Sequence, residues 1–113
     1  MSSDFTVVQE AAITLPTAAG GTSNLYPAFS ADTVTPTERS VLSFLVNPSG
    51  TSTMQIKLNN VIVLNHIFNT EPMRTFHEIV QEGVLNPANN LLEISLTAGT
   101  GSVTVSDVFM TFR

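Results

Sequence analysis

Few residues in this sequence are of types that do chemistry. His66 and His77 are its only imidazoles, and it contains no cysteine. A metal site needs several histidine, carboxylate or thiolate ligands converging at set spacing. Two isolated histidines in alternating, strand-like stretches do not offer that, and each reads as a polar strand residue. Ser43, Ser95 and Ser106 are nucleophiles by type alone. No Gly-x-Ser-x-Gly elbow surrounds them, and no histidine stands in an obvious partner position. Glu71, Glu78 and Glu82, with Glu93 further on, form a loose acidic run in which two carboxylates could do acid–base work. Charged side chains are mostly exposed, so a solvated edge is the simpler account. Asp32 and Asp107 could face a hard cation, but no Asp-rich loop accompanies them. The chain therefore reads as non-catalytic, with no catalytic residue, metal site or cofactor expected.

Binding chemistry leaves a fainter trace. Sugar rings stack on flat aromatic side chains, with amides and carboxylates around them. The sequence has no tryptophan and a single tyrosine, Tyr26. Tyr26 and Asn24 form the candidate ligand loop, at the end of the stretch from Ala18. The seven phenylalanines fall mostly on inward strand positions and read as core.

Composition narrows the partners. Lys57, Arg39, Arg74 and Arg113 are the only fixed cations, and the formal net charge is −5. Four scattered cations cannot neutralise a row of phosphates, which excludes nucleic-acid binding and docking to an anionic membrane. No apolar run reaches the length of a membrane span, so no membrane insertion is expected. The start, MSSDFTVVQEAAITLP, lacks the basic and apolar regions of a secretory signal. A cytoplasmic location, or a place in a virus or phage particle, is the resulting expectation. Charged residues make up 12% of the chain, about half the usual share. Thr, Ser and Asn fill the polar positions instead, as strand surfaces and turns favour.

The elements that must carry these residues are strands. Period-two alternation runs through the chain. Phe5, Val7, Ala11, Ile13 and Leu15 share one face of the first segment. Leu42, Phe44 and Val46 share another, with Val41 and Leu45 flanking Ser43 on the reverse. Asn47–Gly50 (NPSG) reads as a turn with proline second. Met54, Ile56 and Leu58 point inward, Asn59-Asn60 suits a tight hairpin, and Val61 to Phe68 returns. Thr70 to Gly83 fits either a capped helix or a strand. Leu92, Ile94 and Leu96 alternate with Glu93 and Ser95. The knot NPANN before them, Asn86–Asn90, reads as a corner, with Asn89 or Asn90 in the left-handed conformation. In the last strand, apolar residues switch from odd (Val103, Val105) to even positions (Val108, Met110, Phe112). A strand cannot change faces without an inserted residue, which predicts a β-bulge at Ser106-Asp107.

Three stretches carry a family resemblance. LNNVIVLNHIF, TFHEIVQEGVLNPANNLLEISL and GSVTVSDVFMTFR resemble the galactose-binding-domain-like jelly rolls, which include many carbohydrate-binding modules. Their Asn-Gly-Val hairpin stands here as Asn59-Asn60-Val61. Their Leu-x-Pro-Gly-x-Asn-x-Leu-x-Ile segment stands as Leu85 to Ile94, with Ala88 in place of the glycine. The closing Val-x-Ile-x-Asp-Val strand stands as Val103 to Val108. The resemblance covers Thr53 to Arg113, implies an eight-stranded jelly roll, favours strand for Thr75 to Val80, and transfers no catalytic or binding residue.

The expected fold is all-β: an antiparallel two-sheet β-sandwich, a jelly roll of about eight strands, as one domain over 1–113. Arg39–Val46 and Val61–Phe68 are apolar on both faces, whereas a sandwich strand meets the core with only one. Val41, Leu45, Val61 and Val63 are therefore the candidate subunit interface. The expected function is a structural or adhesion module packed into a homo-oligomer or larger assembly, of the phage decoration, tail or fibre-associated type. The alternative is a lectin-like carbohydrate-binding module, with a glycan as partner.

Overall fold

The computed structural model describes residues 4–35 and 37–113. Met1 to Ser3, which the single-domain expectation includes, and Pro36 of the Ala31–Glu38 connection lie outside the described residues. Among the described residues nine strands form: β1 (Asp4–Gln9), β2 (Ile13–Leu15), β3 (Ser23–Leu25), β4 (Ser40–Ser49), β5 (Ser52–Leu58), β6 (Val61–Phe68), β7 (Arg74–Val80), β8 (Leu92–Gly99) and β9 (Ser102–Phe112). They build two antiparallel sheets. One is five-stranded in the order β1-β9-β4-β7, with β2 also on β9; the other is β3-β8-β5-β6. The fold is an all-β two-sheet sandwich of jelly-roll type. Among the described residues no helix is long and apolar enough to cross a membrane.

Alternation explains the core. Leu42, Phe44 and Val46 of β4 face Met54, Ile56 and Leu58 of β5 and Leu92 and Ile94 of β8, all buried. Val103, Val105, Val108, Met110 and Phe112 of β9 complete it. Phe44 and Phe76 stack with ring centroids 5.3 Å apart. Within Thr70 to Gly83 the structure holds a strand and no helix, β7: its Phe76 and Val80 are buried, with Glu78 half-buried between them on the sheet edge.

Several one-residue irregularities set which side chains face where. In β9, Ser43 of β4 pairs with Phe109 but Leu45 pairs with Ser106, so β9 holds one residue more than its partner. Asp107 takes φ 53° there, a left-handed angle that Asp tolerates better than branched residues. This is the bulge the parity switch predicts. Its amide donates to the Glu10 carbonyl, between β1 and β2. The chain is correspondingly irregular there: Val7 pairs with Phe109 and Gln9 with Val108, leaving Val8 bulged.

That second bulge corrects the reading of the first segment. Ile13 and Leu15 face the core, but Phe5 and Val7 lie on the opposite face, 70% and 45% exposed. The Asn47–Gly50 turn is also corrected. β4 continues through Ser49, Pro48 pairs with Val103, and the bend comes at Gly50, φ 76°. β7 accompanies β4 only as far as Val46, so Pro48 stands where one side of the strand is open, as a residue without an N–H requires.

Asn59 and Asn60, with φ of 51° and 67°, form the hairpin between β5 and β6; two left-handed residues match the twist of the flanking strands. Asn89 takes the left-handed angle of the corner, φ 59°. Asn90 beside it is fully buried. Its side-chain oxygen accepts from Asn59 Nδ2 (2.9 Å) and the Asn86 amide (2.8 Å). Its Nδ2 donates to the carbonyls of Phe29 (3.1 Å) and Asn86 (2.7 Å). One amide thus joins the corner, the β5–β6 hairpin and the loop after β3.

Two stability outcomes follow. Asn90→Leu strands several buried polar partners and lowers unfolding free energy by on the order of 3 kcal/mol, read from urea denaturation. Asp107→Val, forced to a left-handed φ, costs roughly 1–3 kcal/mol, while Asp107→Gly stays within about 1 kcal/mol of the parent. Equal stability of the two Asp107 variants would show that backbone angle at the bulge does not matter.

Candidate functional site

The residues singled out by chemistry do not converge. Tyr26 is 2% exposed; its ring is part of the core, so it offers no face to a ligand. Its hydroxyl is buried with no hydrogen-bond partner among the described residues. Asn24, half-buried on β3, pairs with Ile94. The proposed stacking role of Tyr26 is therefore corrected: alternation after β3 turns it inward.

His77 exchanges a 2.8 Å hydrogen bond between its Nδ1 and Ser43 Oγ. Ser43 is 2% exposed, too enclosed for a substrate carbonyl to reach. His66 sits against the rings of Phe68 and Phe76. Arg74 donates to His66 Nε2 at 3.3 Å, lies over the Phe76 ring and approaches Glu71 at 3.6 Å. This cluster ties the neighbouring edges β6 and β7 together. Among the described residues, no three His, Asp or Glu side chains gather as metal ligands.

The four apolar interface candidates divide between the sheets. Val41 and Leu45 lie half-buried on the outer face of the five-stranded sheet, whereas Val61 and Val63 lie on β6 of the other sheet. They cannot form one patch.

A different surface emerges from the sheet order. On the outer face of the five-stranded sheet, Phe5, Thr111, Val41 and Ile79 stand directly opposite one another on β1, β9, β4 and β7. Four adjacent strands at the normal spacing make this row about 14 Å long. A second row beside it runs Val7, Phe109, Ser43, His77. Phe5 is the only phenylalanine with an exposed side chain, and Ile79 is 55% exposed. Along Phe5, Val7, Phe109 and Thr111 runs a groove of about 400 Å³. At the strand ends a second groove, of about 410 Å³, has Val41, Ile79 and Thr111 on its floor and Glu38, Arg39, Glu82 and Arg113 around it. The two share Thr111. An apolar floor with carboxylates and guanidinium groups at its rim suits a ligand with apolar faces and many hydroxyls.

Sequence reading placed Phe5 in the core because it shares parity with Ile13 and Leu15. The bulge at Val8 breaks that parity, and nothing in its residue type marks it. Val41, which flanks Ser43 on the reverse of β4, is outward by sequence pattern as well as in the structure.

The buried Tyr26 hydroxyl yields a pH outcome. Burial pushes its pKa up from 10 to about 12. The unfolded chain therefore releases this proton first, so stability contributed by the neutral phenol is intact below pH 10 and lost as pH rises through about 12. Melting curves of the parent should fall over that window, and the Tyr26→Phe protein should lose this component. Because the hydroxyl has no partner, Tyr26→Phe should not weaken the fold at pH 7. A clear loss there would reveal a hydrogen bond to buried water.

No protein-family profile and no curated protein sequence matches the chain. Solved structures do. A segment of dimeric latent PorU from Porphyromonas gingivalis aligns with a TM-score of 0.71 and 8% identity, over 96% of this chain and 12% of that one. The CBM36-1 domain of a multidomain xylanase from the hindgut metagenome of Trinervitermes trinervoides aligns at 0.56 and 10% identity, over 97% and 98%. The CBM22-1–GH10 modules of an endo-1,4-beta-D-xylanase from Clostridium thermocellum, complexed with xylohexaose, align at 0.50 and 14% identity, over 97% and 24%. This chain thus spans about an eighth of the PorU chain. The likeness extends beyond the Thr53–Arg113 half that carries the sequence resemblance, and the two-sheet β-sandwich fold is shared with these structures over nearly the whole of this chain.

Proposed function

We propose that this chain is a non-catalytic glycan-binding module, a single unit whose ligand lies across the outer face of the five-stranded sheet. The observation that carries this reading is the exposed row Phe5–Thr111–Val41–Ile79 with its charged rim. Phe5 supplies the flat ring against which a pyranose stacks. Val41 and Ile79 receive the C–H faces of further rings. Glu38, Arg39, Glu82 and Arg113 offer acceptors and donors to hydroxyls. The fold supports the same reading, since two of the similar structures are named as carbohydrate-binding modules and one was solved with xylohexaose.

The function expected first from the sequence, a subunit of a phage-type assembly, draws no support from the similar structures, which favour the carbohydrate-binding alternative. Of the four apolar residues that suggested it, the ligand row takes in Val41 alone. In this account Val41 belongs to the ligand floor rather than to a subunit contact.

The test is a titration of xylohexaose and a panel of insoluble and soluble plant polysaccharides, by calorimetry and affinity gels. At least one should bind. Phe5→Ala should weaken that binding about tenfold, a loss of roughly 1.4 kcal/mol. Its melting temperature should be unchanged, because a ring this exposed contributes little to the core. Binding unaffected by Phe5→Ala, or no binding across the panel, would overturn the proposal.

A further inference from the structure

Ser43 and His77 continue the second row of the outer face, beside Val7 and Phe109. Ser43 lies on the interior strand β4, on the same face as Val41 and Leu45, and is enclosed there by its neighbours. A hydroxyl so enclosed needs a hydrogen-bond partner. Among the described residues its Oγ has one, His77 Nδ1 at 2.8 Å. The exposed ring of His77 is thereby held at one nitrogen. Its other nitrogen, Nε2, has no hydrogen-bond partner among the described residues. His77 stands two residues before Ile79 on β7, about 7 Å along the strand. Beyond Ile79, on its other side, are the strand-end groups Glu38, Arg39, Glu82 and Arg113.

We propose that His77 contacts the glycan directly: its Nε2 hydrogen-bonds a hydroxyl of the sugar ring that lies over Ile79, and Ser43 is the residue that positions it. This inference rests on the glycan reading of the face and adds a polar contact to it. A pyranose has apolar C–H faces but carries hydroxyls around its edge. For a ring lying on the Phe5–Thr111–Val41–Ile79 row, the charged rim serves one edge. The opposite edge meets the second row. Val7 and Phe109 of that row have no polar group, and Ser43 is enclosed, so His77 is the member that reaches a hydroxyl there. A hydroxyl pressed against the sheet without such a partner would forfeit its bond to water. Imidazole suits the task in either neutral tautomer. If Ser43 donates to Nδ1, Nε2 carries the hydrogen and donates. If Nδ1–H donates to Ser43, Nε2 accepts. A sugar hydroxyl answers both. The bond to Ser43 selects the tautomer. It also holds the ring in place before the ligand arrives, so less side-chain freedom is lost on binding.

The test titrates xylohexaose, or the soluble polysaccharide of the panel that binds best, into the parent and into His77→Ala, His77→Gln, Ser43→Ala and Phe5→Ala by calorimetry. His77→Ala should weaken binding about tenfold and Ser43→Ala about threefold. His77→Gln, whose amide also pairs with a hydroxyl, should recover part of the loss. Melting temperatures should change little, because His77 is exposed and Ser43→Ala leaves its partner open to water. Imidazole nitrogen chemical shifts give a readout that a purely structural pair would not move. On saturation the His77 Nε2 resonance should shift while those of His66 stay in place, and Ser43→Ala should change the tautomer ratio of His77. Binding that Phe5→Ala lowers and His77→Ala leaves intact, or a His77 Nε2 resonance unmoved at saturation, would overturn this inference and leave the glycan reading standing. No binding, or binding indifferent to Phe5→Ala, would overturn both.

Discussion

The arrangement of the five-stranded sheet depends on the extra residue at Asp107. β9 is the strand that β1, β2 and β4 all pair with. Side chains alternate with a period of two, so without an inserted residue half of its apolar positions would face water. With Asp107 bulged, Val103 and Val105 before it and Val108, Met110 and Phe112 after it all reach the core. The same step turns Phe109 and Thr111 outward. The Asp107 amide is held by the Glu10 carbonyl, so the bulge coincides with the break between β1 and β2. Core filling on one face and the row Phe5–Thr111–Val41–Ile79 on the other are two consequences of one backbone irregularity.

The far end of the sandwich is organised by a second local device. Asn90 is buried with its amide satisfied by four hydrogen bonds. A buried polar group so completely paired specifies geometry, because any shift of the corner leaves donors and acceptors unmet in an apolar surround. The polar knot before β8 is therefore structural. It aims Leu92 and Ile94 inward.

Much of this was legible in the residues, and the parts that were not share a cause. Leu42/Phe44/Val46, Met54/Ile56/Leu58 and Leu92/Ile94/Leu96 announce their faces by strict alternation. The Asp107 bulge is legible because apolar parity changes across it, and the Asn59-Asn60 hairpin because asparagine tolerates left-handed angles. The bulge at Val8 leaves no such mark, so Phe5 looked like core. Tyr26 looked like a loop residue because its burial depends on the neighbouring β8. The row Phe5–Thr111–Val41–Ile79 joins four strands far apart in the chain, and only the sheet order makes them neighbours. Long-range pairing is the part of the fold that local pattern does not encode.

The proposed ligand face is the outer face of the five-stranded sheet. Backbone amide chemical shifts recorded during a titration with xylohexaose, or with whichever glycan of the panel binds best, test it most directly. Shifts should concentrate at Phe5, Val41, Ile79 and Thr111 and at the rim around Glu38 and Arg39. Shifts confined to the opposite sheet, around Lys57 and Glu93, would contradict it.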